Sequence, residues 1–303
     1  MSIENPFQIP GNWYRGNLHL HTSASDGTYT AEAHIRGYRE MGYDFLGITD
    51  HNIAVTDFEK PASGDFLVLS GMEVDVRDAH NGKTYHFVVP EAKALPPIPK
   101  GMAPQEVLDM IGKVGGLAIL AHPYWSGLTL TDMLAVEGYI GLEVFNTVCE
   151  RETARGLSQV HWDSLLEVGR TPLGFATDDA HCNRTYTSEL FQGWIMVKAP
   201  RLEEESILEG IKRGRFYSSR GPIIRNVEIK DGVVRVSSSP VVTINFVCDP
   251  AKGKQICARY GDSLTHGEYV LRGPETYVRV ECIDSFGRAA WSNPFRLLDG
   301  DRP

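Results

Sequence analysis

Two histidines separated by one residue stand in the run Asn17-Leu18-His19-Leu20-His21. In a strand, alternate side chains point to the same face, so His19 and His21 would share one face and the two leucines the other. A single histidine is most often an ordinary core or surface residue, but two desolvated imidazoles on an apolar strand need partners. The pair therefore indicates a site with chemical function.

Further apolar runs also end in residue types that bind metals. The carboxyl ends of parallel strands gather at one rim of an α/β barrel, so such residues become neighbours even when they are far apart in sequence. The sequence predicts one metal site from His19, His21, Asp26, His51, Glu73, His86, His122, Asp179 and His181.

The composition of this set limits the metals it suits. Imidazoles and carboxylates without thiolates favour Zn, Mn or Fe over copper or an iron–sulfur cluster. Six histidines and three carboxylates are too many ligands for one ion, so we expect two or three divalent ions with a bridging carboxylate. Such sites generate hydroxide at neutral pH and clamp the attacking and leaving oxygens of a transfer reaction. Hydrolysis is therefore the leading reaction class.

The elements that must position these residues follow an α/β pattern through about residue 219. Strands are predicted at Asn17–His21, Asp44–Thr49, Phe66–Gly71, Tyr85–Val89, Leu117–Ala121, Gly141–Phe145, Leu173–Ala176 and Trp194–Lys198. Helices are predicted at Ala31–Met41, Pro104–Val114, Leu157–Val168 and Glu203–Arg213. After Arg220 the chain changes to short β-branched runs without helical period, which predicts a small all-β domain, a sandwich.

Composition excludes several other classes of protein. The chain has 303 residues, with 30 Lys and Arg against 39 Asp and Glu, a net charge of −9 that argues against an extended nucleic-acid surface. Its five scattered cysteines predict reduced thiols, and hence a cytoplasmic protein, rather than a disulfide framework. We see no signal peptide and no apolar run long enough to span a membrane.

As a set, these motifs resemble the PHP (polymerase and histidinol phosphatase) superfamily of metal-dependent phosphoesterases. The matching segments, in order, are NLHLHTSASDG, ITDHN, GMEV, HFVV, AHP and DDAH, within roughly residues 13–216. The segments AHPYWSGLT, GRFYSS and AWSNPF further resemble the carbaryl-hydrolase-like branch. The resemblance implies a distorted (β/α)7 TIM-like barrel over residues 1–219, metals on its C-terminal rim, and a C-terminal β-sandwich domain over residues 220–303.

The resemblance also implies how the ligands are shared. One ion would take His19, His21, Glu73 and Asp179; a second would take Glu73, His86 and His122, with Glu73 as the bridge; and a third would take Asp26, His51 and His181. Asp26 stands where other family members carry His. His80 is the alternative to His86, which is favoured because it opens an apolar strand.

The expected function is a metal-dependent phosphoesterase that cleaves a small phosphomonoester or cyclic phosphate through a metal-bound hydroxide. Glu73, Asp179 and His181 are the expected catalytic residues. Arg184 and Lys83 are candidates to hold a phosphate, although a solvated surface charge is the alternative for each, and Trp125 could form an apolar wall. The alternative reaction is carbamate, ester or amide hydrolysis at the same metals; a non-enzymatic binding module centred on the β domain is a third hypothesis.

Overall fold

A computed structural model describes residues 4–59, 64–183 and 188–297 of the chain. The first part contains β1 Asn12–Asn17, α1 Ala31–Glu40, β2 Phe45–Ile48, β3 Leu67–Ser70, β4 Met72–Arg77, β5 Thr84–Val89, α2 Pro104–Lys113, β6 Ile119–Leu120, α3 Leu130–Leu134, β7 Gly141–Asn146, α4 Thr147–Thr153, α5 Gln159–Glu167, β8 Leu173–Thr177, β9 Trp194–Ala199, α6 Glu204–Lys212 and β10 Phe216–Ser219. The second part contains β11 Ile224–Lys230, β12 Val233–Val241, β13 Thr243–Cys248, β14 Gly253–Cys257, β15 Leu264–Val270, β16 Tyr277–Ile283, β17 Ala289–Ser292 and β18 Phe295–Arg296. The protein is thus of mixed α/β class. Among the described residues, no helix is long and apolar enough to cross a membrane.

Two sheets enclose the core beneath the candidate site. In the first, β1, β2 and β3 are parallel and β9 runs antiparallel to β1. In the second, β5 runs antiparallel to both of its neighbours, β4 and β6, and β6, β7 and β8 are parallel. Side chains of both sheets pack into one cluster that includes Phe45, Leu69, Val88, Ile119 and Phe175. The core therefore lies between the sheets, as in the interior of a small barrel.

The two sheets meet where the predicted ligands lie. Single parallel bridges join Leu20 to Ala180 and His51 to Glu73. On one side the chain itself passes between the sheets, because only Gly71 separates β3 from β4. A Cβ at Gly71 would lie 2.6 Å from the Val89 carbonyl oxygen, so a larger residue would force the strands apart there.

A regular (β/α)7 barrel is not confirmed. Residues 64–103 contain three successive strands and no helix, and β4, β5 and β9 introduce antiparallel pairs. Strand β4 lies in a segment where no strand was predicted, since Gly71 and the acidic residues there hide its alternation. The predicted strand Asn17–His21 is also displaced, because β1 ends at Asn17. Beyond that point, backbone hydrogen bonds to Thr49, Asp179 and Ala180 continue the pairing, and the Asn17 and Thr49 side chains add bonds to the His19 carbonyl oxygen and from the Leu20 N–H.

The C-terminal residues form two facing sheets. Strands β11, β12 and β15 make a three-stranded sheet, and their residues share a core with those of β13 and β16, for example Val234 with Phe246 and Val280. The second sheet continues into the first part of the chain, since β10 pairs with β17 on one side and with β9 on the other. A sheet therefore runs across the predicted boundary between residues 219 and 220.

An ion pair made by a buried arginine also links the two parts. Arg279 on β16 is 2% exposed and donates from Nε and Nη2 to the two Asp163 carboxylate oxygens of α5, each at 2.8 Å. The Arg279 guanidinium lies 4.9 Å from the Trp162 ring centroid. Trp291 of β17 packs into the core of the first part. The C-terminal sheets are thus packed into the fold that carries the candidate site.

We predict that Arg279→Met lowers the free energy of unfolding by about 2 kcal/mol, because it removes two charged hydrogen bonds to the Asp163 carboxylate, which is only 27% exposed. Arg235→Met is the matched control: its pair with Glu268 is 43% and 63% exposed, so we expect a loss below about 1 kcal/mol. Urea unfolding of both variants measures the difference. Equal losses would show that the Arg279 pair does not hold the two parts together.

Candidate metal centre

The structure brings all nine predicted ligand residues to one rim of the two sheets. His19 and His21 follow β1, His51 follows β2, Glu73 lies on β4, and His122 follows β6. Asp179 and His181 follow β8, and Asp26 lies in the loop before α1. His86 is at the beginning of β5, but this strand is antiparallel to its neighbours, so its beginning lies at the rim where the parallel strands end.

The Glu73 carboxylate is the centre of the arrangement. Its Oε2 lies 3.3 Å from His19 Nε2 and 3.2 Å from both His21 Nε2 and His51 Nδ1. Its Oε1 lies 2.8 Å from His86 Nδ1 and 3.2 Å from His122 Nε2. Five imidazoles therefore surround one buried carboxylate, whose two oxygens face different subsets of them.

Among the residues that the structure describes, three overlapping groups have ligand atoms close enough to share an ion: His19, His21, Glu73 and Asp179; His51, Glu73 and His86; and His21, Asp26, His51 and His181. The first group is the one that the resemblance implied. The other two differ from the implied sets, because His51 takes the place of His122 beside His86, and His21 joins the group around Asp26. His122 nevertheless contacts Glu73 Oε1 at 3.2 Å.

The donor atoms fit divalent cations. His21 Nδ1 and His51 Nδ1 are buried and make no hydrogen bond with a described residue. His19 Nε2 and His21 Nε2 lie 3.2 Å apart and face the same Asp179 oxygen, at 3.1 Å each. Buried nitrogens without a well-aligned hydrogen bond, such as His51 Nδ1 at 3.2 Å from Glu73 Oε2, and converging lone pairs are costly without a cation among them. Nitrogen and oxygen donors without sulfur suit Zn, Mn or Fe.

Electrostatics keep the two central carboxylates ionised. Burial alone would raise the pKa of Glu73 and Asp179, but the neighbouring His19 charge lowers the pKa of both. Burial works in the opposite direction on His21, yet hydrogen bonds with Asp179 and Glu73 raise its pKa to about 9. The pKa of His19 is likewise raised against burial, by Asp179, Glu73 and Glu143. Without metal, protons on these imidazoles balance the buried negative charge.

Local backbone features fix the ligands in place. Asp179 and His122 adopt positive φ values of 56° and 28°, conformations that are rare for residues other than glycine. The loop that carries Asp26 is fixed by the buried Asp50 carboxylate, which accepts hydrogen bonds from the backbone and hydroxyl groups of Thr22 and Ser25.

A cavity of about 260 Å³ opens over the ligand cluster. It is lined by Asp26, His51, Glu73, His86, His122, Trp125, Val148, Cys149, Glu152, Asp179, His181 and Asn183. The predicted wall residue Trp125 lies here, with its ring centroid 5.0 Å from that of His122. Four of these residues, Val148, Cys149, Glu152 and Asn183, were not predicted. Three belong to α4, a helix of seven residues that follows β7 directly and is too short to show a helical period.

Of the two residues predicted to bind phosphate, Lys83 and Arg184, the structure describes only Lys83. Lys83 does not line the cavity, because its Nζ donates to the Gly127 carbonyl oxygen at 2.6 Å and so supports the loop that carries Trp125. Arg184 lies outside the described residues. His80, the alternative to His86, is exposed in the turn before β5 and belongs to none of the three groups.

No family model matches the sequence. A two-domain protein of Bacteroides vulgatus, described as containing a predicted PHP-like metal-dependent phosphoesterase, superposes with a TM-score of 0.50 at 14% identity over 94% of each chain. The chain has the fold of a PHP-like two-domain protein. The resemblance to the PHP superfamily is thus confirmed at the level of the fold, and the carbaryl-hydrolase branch stays a prediction.

Two other proteins show similarity to this PHP-like chain. An uncharacterized protein of Methanocaldococcus jannaschii is 29% identical over 147 residues, which cover 44% of this chain and 81% of the relative. A lesion-specific endonuclease of Pyrococcus furiosus superposes with a TM-score of 0.41 at 15% identity, over 66% of this chain and 56% of the endonuclease.

We predict that zinc stabilises this protein more at pH 9 than at pH 6.5. The pKa of His21 is raised to about 9 from an ordinary 6.5, so its stabilising proton is fully present below pH 6.5 and is lost as pH rises through 9. Zinc needs the unprotonated imidazole, and the competing proton weakens its binding at low pH. Thermal unfolding with zinc and with chelator measures this shift. An equal zinc shift at both pH values would contradict it.

We also predict that His86→Ala removes one metal equivalent or weakens its binding at least tenfold, since His86 directly contacts the Glu73 carboxylate. His80→Ala is the matched control and should bind zinc as the unmodified chain does. Elemental analysis after dialysis, together with calorimetric titration, separates the two residues. The assignment of His86 is wrong if His80→Ala loses zinc while His86→Ala binds it as the unmodified chain does.

Proposed function

We propose that this protein is a metal-dependent hydrolase of the PHP superfamily, and that its substrate is a small phosphomonoester or cyclic phosphate. The observation that carries the proposal is the Glu73 carboxylate, whose two oxygens contact five imidazole nitrogens at 2.8 to 3.3 Å. A carboxylate with different imidazoles around each oxygen is suited to bridge two cations. The cavity above it provides a place for a substrate.

His19, His21, Glu73 and Asp179 would hold one ion, and the overlapping groups around His86 and Asp26 would hold one or two more. Divalent ions in such a site activate water and neutralise the charge that develops on phosphoryl oxygens. The residues of the chain would orient the substrate in the cavity of about 260 Å³ above the ligand cluster.

Proton transfer to the leaving group can come from the mouth of the cavity. His181 Nε2 lies 3.4 Å from Asp26 Oδ2, and the Asp26 side chain is 53% exposed. His181 Nδ1 contacts the Asp179 backbone carbonyl oxygen at 2.8 Å, which fixes the ring. When only the two groups that contain Glu73 hold ions, His181 is not a ligand, and its imidazole beside a solvent-facing carboxylate can pass a proton to a departing alkoxide and regain it from water.

A second candidate function is hydrolysis of a carbamate, ester or amide at the same residues. The observation that favours it is the wall of the cavity, where none of the described lining residues is Lys or Arg. Trp125 and Val148 give part of that wall an apolar surface, which suits a neutral aryl group better than a phosphate dianion. This reaction would agree with the resemblance to the carbaryl-hydrolase-like branch.

The test is a substrate panel with the manganese- or zinc-loaded protein, comparing phosphomonoesters, cyclic phosphates, aryl esters and carbamates. We expect phosphate-ester turnover and a loss of at least about 100-fold in Glu73→Gln, because even outer partners of metal ligands are worth about 10- to 100-fold. The control Glu137→Gln alters an exposed surface pair with Arg170 and should leave the rate unchanged. Turnover of aryl esters or carbamates without phosphate esters would replace the first function by the second.

A further inference from the structure

One buried carboxylate beside the metal centre belongs to none of the ligand groups. Glu143 on β7 is fully buried, and four donors converge on its two oxygens. His19 Nδ1 and Thr177 Oγ1 lie 2.7 Å from Oε1, while the His122 backbone N–H and Asn146 Nδ2 donate to Oε2 at 2.9 and 2.8 Å. Four donors on two oxygens is the pattern of an ionised carboxylate, which can only accept.

We propose that Glu143 is a positioning residue that sets the tautomer of His19 and holds His19, His122 and Asp179 in place around the Glu73 carboxylate. An acceptor-only group against His19 Nδ1 requires the proton to be on that nitrogen. The Nε2 lone pair is then directed toward Glu73 and Asp179, at 3.3 and 3.1 Å. This inference rests on the proposed metal-dependent function. It adds how the His19 imidazole is held in the tautomer that can bind a cation.

The Glu143 carboxylate also holds His122, through the backbone of His122. His122 has a φ of 28°, a strained conformation for a residue with a side chain. Its backbone N–H donates to Glu143 Oε2 at 2.9 Å, which holds the residue in this conformation. The His122 imidazole is thereby kept 3.2 Å from Glu73 Oε1.

Asn146 connects Glu143 to Asp179. Its Nδ2 donates both to Glu143 Oε2 at 2.8 Å and to Asp179 Oδ2 at 3.0 Å. Its Oδ1 accepts from the Cys149 backbone N–H at 3.0 Å and so caps α4. The amide is fixed on both sides, and Asp179 is left with Oδ1 turned toward His19 and His21.

A neutral side chain cannot replace Glu143 in this arrangement. In Glu143→Gln, an amide NH2 in place of Oε1 would face His19 Nδ1, which would have to accept, so the proton would move to Nε2 and block the metal. The same NH2 in place of Oε2 would face two donors, the His122 N–H and the Asn146 amide. Either orientation leaves a buried donor unpaired or a ligand blocked.

The test compares zinc binding by the full-length chain and three variants, with calorimetric titration and circular dichroism. We expect Glu143→Gln to weaken the tightest zinc site about 10- to 100-fold, the range for outer partners of metal ligands. Glu143→Asp keeps the charge and should recover at least part of this loss. Glu137→Gln makes the same chemical change at an exposed surface pair with Arg170, so its zinc affinity should stay within about threefold.

A nitrogen-15 NMR experiment on the imidazoles of the zinc-loaded, unmodified chain gives a readout that needs no variant. We expect His19 to carry its proton on Nδ1, in slow exchange with solvent. A proton on Nε2, or a folded Glu143→Gln with unchanged zinc affinity, would overturn the inference. Neither result depends on turnover, so a zinc-binding chain with this tautomer that cleaves no phosphate ester would overturn only the proposed substrate class.

Discussion

The candidate site depends on one electrostatic constraint: a buried carboxylate, Glu73, surrounded by five imidazoles. Burying such a group of ionisable side chains is unfavourable unless the charges balance. Protons on His19 and His21 provide that balance in the chain alone, which is why the pKa of both is raised. Divalent cations provide it in the proposed holoprotein, and the two states compete for the same nitrogens.

The fold meets this constraint by bringing strand ends together from both sheets. The single bridges from Leu20 to Ala180 and from His51 to Glu73 lie at the ligand residues themselves. Gly71 lets β3 pass directly into β4, so that Glu73 reaches the rim from the second sheet. The C-terminal sheets support this arrangement from outside, through the Arg279 and Asp163 pair and the continuous strand pairing at β10.

The sequence predicted much of the site and less of the fold. Ligand residue types at the ends of apolar runs were sufficient to collect all nine residues, because an isolated polar residue after a buried strand is a strong local signal. His86 was selected for opening a strand, and its position at the rim comes from the antiparallel direction of β5, which no local pattern reveals. The same lack of a signal hid β4 and the short helix α4. His21 and His51 each belong to two of the groups. Which residues share an ion depends on distances between ligand atoms, and spacing along the chain does not reveal these distances.

The most direct test of the account is anomalous diffraction from crystals of the manganese- or zinc-loaded protein. The account predicts at least two anomalous peaks flanking Glu73, with one carboxylate oxygen directed to each, at metal–ligand distances of about 2.0 to 2.2 Å. One of these ions should also contact His19, His21 and Asp179. A fully loaded crystal with no peak at the Glu73 carboxylate, or with metals bound only elsewhere, would contradict the account.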